Sequence, residues 1–179
     1  MEQPSGTYSA VEDFERRFVR PKAGRTLIAG SRVYPGRADR RKLFAEAEGW
    51  DALPGVGVDR VVDLESIIPC GDQFAHVECI SVLEHARRPW LFARNLEQVL
   101  RSGGTLHLTV PFIWRVHAYP DDFWRFTVAG VRALFSSIEW LHVLYAHLEL
   151  TDLVKTPSMS VGEYPFLART QVCAFGTRQ

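Results

Sequence analysis

Residues 74–110 read FAHVECISVLEHARRPWLFARNLEQVLRSGGTLHLTV, and the order of patterns within them decides the fold. Residues 74–82 are apolar with little helical period, the signature of a strand buried on both faces. Pro89 then stands near the start of a second pattern, with Phe92, Leu96, Val99 and Leu100 on one helical face and Gly103-Gly104 beyond its end. Residues 105–110 form the next strand, cut by Pro111. A strand, an amphipathic helix and a strand in this order imply a parallel pair joined by a right-handed crossover.

The same alternation extends outward. Upstream, residues 26–29 are short, β-branched and apolar, and Gly30 and Ser31 close them into a loop. Asp39 is a good N-cap for a helix running through Glu48 and ended by Gly49. Trp50 and Asp51 then lie on a short strand stopped by Pro54-Gly55, and residues 58–63 form another β-rich run ending in an acid. At the start of the chain Ser9-Ala-Val-Glu12 reads as a capping box for a helix with Val11, Phe14 and Phe18 on one face, ending before Pro21. Downstream, Thr127 caps a helix through Phe135, and two late strands cover residues 139–148 and 170–175. The expected fold is α/β: a doubly wound, mostly parallel, Rossmann-like sheet whose last strands pair antiparallel at one edge. Residues 1–179 read as a single domain with residues 1–25 as a helical extension.

Composition bounds the function. Of 179 residues, 46% are hydrophobic, 23% charged and 12% aromatic, which excludes disordered, collagenous and coiled-coil chains. No apolar run approaches the roughly 18 residues of a membrane span, and residues 1–10 are too polar for a signal peptide, so a cytoplasmic location is expected. Cys70, Cys79 and Cys173 have neither disulfide nor zinc-ligand spacing and read as buried thiols. Twenty-one basic residues balance 21 acidic ones, which argues against a nucleic-acid binder driven by phosphate neutralisation. The N-terminal 42 residues nevertheless hold ten Lys and Arg against five Asp and Glu, a solvated basic face or an anion contact.

In such a sheet, ligands sit outside the carboxyl ends of the strands. The residues there are Gly30 and Ser31, Asp51, Asp63, residues 81–85, and Pro111 onward. Asp51 follows Gly30 by 21 positions, close to the separation at which an acid ending the second strand reaches a ribose held over the first turn. A nicotinamide dinucleotide is disfavoured, because residues 30–36 lack the GxGxxG that brings amides to a pyrophosphate.

A resemblance rests on Gly57-Val-Asp59, Val62-Asp63-Leu64-Glu65, Ser81-Val-Leu-Glu-His85, Ser102-Gly-Gly-Thr-Leu106, Pro111-Phe112 and His117-Ala-Tyr-Pro-Asp-Asp-Phe-Trp-Arg-Phe-Thr127. With these segments the chain resembles the class I S-adenosylmethionine-dependent methyltransferases, in particular small bacterial methyltransferase-domain proteins of the type 11-like set, over nearly its whole length. The resemblance implies S-adenosylmethionine as cofactor. It implies that Gly30 and Ser31 approach the methionine end, that Asp51 with Ala52 beside it meets the ribose, that Asp63 and the Leu64 amide meet the adenine, and that Ser81, Glu84 and His85 floor the pocket near the sulfonium. The first loop departs from the family, having one glycine and no acid; Arg32, or Arg40 and Arg41, are the cations available to a methionine carboxylate.

On the substrate side, methyl transfer mostly needs alignment, and a base only for a hydroxyl or a protonated amine. His117 follows the fifth strand and is the candidate catalytic base, with His85 its rival. Tyr119, Asp121, Asp122, Trp124 and Arg125 form a cluster that suits either a polar small substrate with a ring face or a packed turn. His117, Asp121 and Asp122 fall short of a full ligand set, so no metal is assigned. The mouth is shaped by residues 1–25, 111–127 and 155–166, and a second copy or a partner protein is expected to close it if these leave it open. Two functions remain: methyl transfer to oxygen or nitrogen of a small molecule, and a non-catalytic scaffold of the same fold with a degenerate cofactor loop.

Overall fold

The computed structural model describes residues 6–66, 73–117, 121–147 and 169–179. Cys70, Tyr119 and the 155–166 loop lie outside them. The elements are α1 (Gly6–Phe18), β1 (Thr26–Ala29), β2 (Ala47–Asp51), β3 (Arg60–Val61), β4 (Phe74–Ile80), α2 (Pro89–Val99), β5 (Leu100–Pro111), α3 (Val128–Leu134), β6 (Ile138–His147) and β7 (Arg169–Arg178). They build one seven-stranded sheet in the order β3-β2-β1-β4-β5-β7-β6. The first five strands are parallel, and β7 inserts antiparallel between β5 and β6. The expected doubly wound, mostly parallel sheet with an antiparallel end is therefore present.

The central strands are buried because both of their faces are covered. Val77 and Cys79 of β4 are fully buried, as are Leu106, Leu108 and Val110 of β5, and they join Phe92, Ala93, Leu96 and Val99 of α2 in the main core. Pro89 sits in the first turn of α2, where a missing amide proton is tolerated. On the other side of the sheet α1 lays Phe14 against Ala146, Cys173 and Phe175, a second, smaller cluster. The thiols of Cys79 and Cys173 are buried and free, and burial pushes that of Cys173 up to about 12. No helix among the described residues is long and apolar enough to cross a membrane.

Two helices differ from the sequence reading. Helix α1 begins at Gly6, so Ser9 lies inside it rather than capping it. The helix expected from Asp39 through Glu48 is only a 3₁₀ turn over Arg40–Leu43, with Asp39 accepting from the Arg41 amide as its cap. The chain then enters β2 at Ala47, pairing Ala47 with Thr26 and Trp50 with Ala29. Tertiary contacts explain the difference. Trp50 is fully buried, and its indole donates to Glu48, which also pairs with Arg25. Three consecutive cations in the first turn would oppose the helix dipole, and here Arg40 reaches Glu78 on β4 and Arg41 reaches Asp59 in the loop before β3 instead. The β-rich run at 58–63 is likewise shorter than expected, forming strand only at Arg60–Val61.

Candidate functional site

Because β1 to β5 run parallel, their carboxyl ends share one edge, and the sheet order reverses between β1 and β4. That crevice is where ligands of doubly wound sheets bind. Gly30 ends β1 with φ +72°, and a Cβ there would stand 2.3 Å from Val82 Cγ2. Gly30→Ala is therefore expected to unfold at lower urea than the parent, the left-handed backbone alone costing about 1–2 kcal/mol, and Gly30→Val at lower urea still. An unchanged urea midpoint would show that the turn relaxes freely.

The first loop lies flat against its neighbours. The Gly30 and Ser31 amides donate to the Trp50 carbonyl, that of Arg32 to Asp51 Oδ2, and that of Val33 to the Val56 carbonyl. Asp51 Oδ1 also accepts from the Leu53 amide, and Ala52 between them is exposed. Each carboxylate oxygen has a second lone pair, so Asp51 keeps acceptor capacity for hydroxyls. Asp63 forms a local turn, accepting from the Glu65 amide and the Ser66 hydroxyl, with Leu64 buried beneath it. The Ser31 hydroxyl is buried without a hydrogen-bond partner.

The cations are divided. Arg40 makes two bonds to Glu78, at 2.6 and 3.0 Å, and also pairs with Glu15, while Arg41 bridges Asp39 and Asp59. Neither is left to meet a ligand carboxylate. Arg32 stacks over the Tyr34 ring at 5.3 Å.

Beyond β4 the backbone turns sharply. Ser81 takes φ +53°, an uncommon conformation for a residue with a side chain and one that recurs at functional sites. It leads into a 3₁₀ turn over Leu83–His85. Residues 123 and 124 are strapped onto this turn, the Phe123 and Trp124 amides donating to the Glu84 carbonyl and the Trp124 indole to the Ala86 carbonyl. This strap carries the loop after β5 back over the end of β4.

Four titratable side chains consequently converge. The His85 and His117 rings meet edge to face, with centroids 4.9 Å apart. His85 Nδ1 contacts the Asp121 carbonyl at 2.5 Å, and His117 Nδ1 lies 3.0 Å from Asp122 Oδ2. Asp122 is gripped by Arg125 through two bonds and accepts from the His117 amide, contacts that hold its carboxyl well below the usual range. Glu84 is 1% exposed, and burial pushes its carboxyl up to about 8. Its Oε1 lies 3.9 Å from His85 Nε2, while Oε2 has no hydrogen-bond partner.

The sequence reading brought His85 and His117 forward as separate candidates, and the structure places them in contact. Asp122 and Arg125, expected on the substrate side, are bound to each other, and Arg125 also donates to the loop carbonyls of Trp114 and Arg115. Asp121 is exposed and pairs with Arg87, and Trp124 lies at the surface 6.3 Å from Trp90. Two features escaped the sequence: the depth of Glu84, signalled only by an acid in an otherwise apolar turn, and the Asp122 contact that orients His117.

No protein-family model matches the sequence, and no curated protein matches it. Solved structures do. A methyltransferase from Mesorhizobium loti, named as S-adenosylmethionine dependent, superposes with a TM-score of 0.64 at 14% identity, over 97% of this chain and 98% of that one. The fold is that of the class I methyltransferases. The N-methyltransferase NodS from Bradyrhizobium japonicum WM9, in complex with S-adenosyl-L-homocysteine, gives 0.64 at 10% identity over 99% and 89% of the two chains. The 1,6-didemethyltoxoflavin-N1-methyltransferase of Burkholderia thailandensis, with bound 1,6-didemethyltoxoflavin and S-adenosylhomocysteine, gives 0.62 at 12% identity over 97% and 78%. At these identities the likeness is one of methyltransferase fold, and the chemistry has to be argued from this chain's own residues.

Proposed function

We propose that this chain is an S-adenosylmethionine-dependent methyltransferase that modifies an oxygen or nitrogen of a small molecule. The observation carrying this reading is the His117–Asp122 pair, held over the strained Ser81 turn at the carboxyl end of the central strand. When bound, the cofactor supplies an electrophilic methyl group on a sulfonium. Asp51 has spare lone pairs for the ribose hydroxyls, and Asp63 with the Leu64 amide is the pair for the adenine edge. Ser81, Glu84 and His85 line the floor beside the sulfonium. His117 acts as base: the Asp122 carboxylate accepts from its backbone amide and stands 3.0 Å from Nδ1, which holds the ring in place, and Nε2 is the nitrogen that takes a proton from the acceptor. Asp121 and Trp124 border the mouth on the acceptor side, while Asp122 and Arg125 position His117. A second copy or a partner protein closes what the short loops leave open.

Asp51→Ala is the direct test on the cofactor side. Losing a charged acceptor for two hydroxyls should weaken S-adenosylhomocysteine binding roughly tenfold to a hundredfold in calorimetry. Because Asp51 also receives the Arg32 and Leu53 amides, stability falls by about 1–3 kcal/mol as well. A folded Asp51→Ala protein with the parent's affinity removes Asp51 from the site.

A second reading, a non-catalytic scaffold, is favoured by one observation: the amides of Gly30, Ser31, Arg32 and Val33 are all engaged within the protein and offer nothing to a methionine carboxylate. Absence of S-adenosylhomocysteine binding up to millimolar concentration decides for the scaffold.

A further inference from the structure

Glu84, His85 and His117 come from two segments of the chain, yet one ligand atom from each lies within 4.8 Å of the others. Two imidazoles and one carboxylate form a donor set that first-row divalent ions accept, zinc at distances of about 2.0–2.2 Å. The separations are wider than a bound ion would leave them, so binding draws the three side chains together.

Three features favour an ion over a chance cluster. Each imidazole faces a backbone carbonyl through Nδ1, His85 that of Asp121 and His117 that of Arg115, and the Asp122 carboxylate stands 3.0 Å from His117 Nδ1. Metal-binding histidines are oriented in this way, the anchored nitrogen carrying the proton and the other keeping its lone pair for the metal. Asp122 is itself fixed by the two bonds from Arg125, so the support extends a further shell outward. The third feature is Glu84, whose Oε2 is buried without a hydrogen-bond partner. A buried carboxylate oxygen without a partner is destabilising, and coordination to a cation removes that penalty.

We propose that Glu84, His85 and His117 bind one divalent transition-metal ion, with an open coordination position for an oxygen of the acceptor. Three protein ligands and an open position are the arrangement of metal sites that activate a bound oxygen, lowering the pKa of its proton so that it is released to solvent at neutral pH. The inference rests on the methyltransferase reading for its acceptor and refines it: the Nε2 lone pair of His117 then holds the ion, and the ion takes over the deprotonation. It also narrows the acceptor class to molecules presenting a hydroxyl.

The test uses the full chain stripped with chelator and dialysed, titrated without cofactor with Zn²⁺ by calorimetry and with Co²⁺ by visible absorption. One equivalent of each should bind, with a tetrahedral or five-coordinate Co²⁺ spectrum. His117→Asn and Glu84→Gln should each weaken binding by a hundredfold or more, and Asp122→Asn, which only loosens a ligand, about 10–100-fold. His142→Gln, beside Phe18 on β6, should bind as the parent does. His117 lies on a loop with its side chain 22% exposed, so its variant reports even if Glu84→Gln fails to fold. No stoichiometric binding, or binding equal in parent and His117→Asn, overturns the proposal. S-adenosylhomocysteine calorimetry on the stripped protein separates the two readings: cofactor binding without metal binding overturns the metal site alone, and metal binding without cofactor binding upholds it while the methyltransferase reading falls.

Discussion

His117→Asn is expected to leave S-adenosylhomocysteine affinity unchanged and to lower turnover by about 10² to 10⁴. The separation follows from position. His117 stands on the loop after β5, whereas the groups assigned to ribose and adenine follow β2 and β3, across the sheet from it. Asparagine retains a polar group near Asp122 but offers no basic nitrogen, whether the lone pair serves a proton or an ion. Asp122→Asn should reproduce part of the loss, because Asp122 positions His117 through its backbone amide and stands 3.0 Å from its ring. A screen of hydroxyl- and amine-bearing acceptors for release of the demethylated cofactor provides the assay. Full turnover in His117→Asn would remove both roles from this residue. Chelator treatment of the parent distinguishes them, since turnover persists if His117 is the base and collapses if the ion is required.

Arg40→Ala is expected to destabilise the fold by about 3–5 kcal/mol at neutral pH, the cost of stranding a buried charge. Glu78 is 3% exposed in the middle of β4. Burial alone would raise its pKa, but His107, His76 and Arg40 outweigh it and hold the carboxyl far below the usual range. The direct bonds are those of Arg40 and of His107 Nδ1 at 3.3 Å, and His76 Nε2 lies 3.9 Å from Glu78 Oε1. A carboxyl whose folded pKa is depressed contributes stability above its unfolded pKa, about 4.3, and that contribution is lost as pH falls further. The parent should therefore lose stability below about pH 4. With Arg40 gone, part of what holds the Glu78 carboxyl down is lost and its pKa rises, so the gap between parent and variant should narrow as the pH is lowered. Urea melts from pH 7 downward measure this. A gap that stays constant with pH would show that Arg40 contributes through packing alone.

The same pair shows why part of the fold was hidden in the sequence. Residues 39–48 carry a cap, alanines and a terminal glycine, a sound local recipe for a helix. Arg40 finds Glu78 on a strand 38 positions away and Arg41 finds Asp59, while Trp50 takes its place in the core. Burying Trp50 and satisfying two guanidinium groups outweighs the few tenths of a kcal/mol per residue that separate helix from strand propensity. Where local and tertiary preferences agree, as in α2 with Pro89 at its start or α3 with Thr127 accepting from the Gly130 amide, the sequence reading and the structure coincide.

By itself the sequence determined the strand–helix–strand unit of β4, α2 and β5, the parallel centre of the sheet and the antiparallel end, because these follow from apolar periodicity and from turn residues at fixed positions. It also determined which residues stand at the strand ends, and so placed Gly30, Asp51, Asp63, Ser81 and His117 at one edge. Only the tertiary structure decided what those residues do to one another. That the loop amides are spent on Trp50, Asp51 and Val56, that Asp122 faces His117, and that Glu84 is buried beside two imidazoles are contacts across as many as 33 positions. Such contacts depend on the angle at which a strap crosses a turn, and that angle is set by the packing of the whole sheet, which no local pattern encodes.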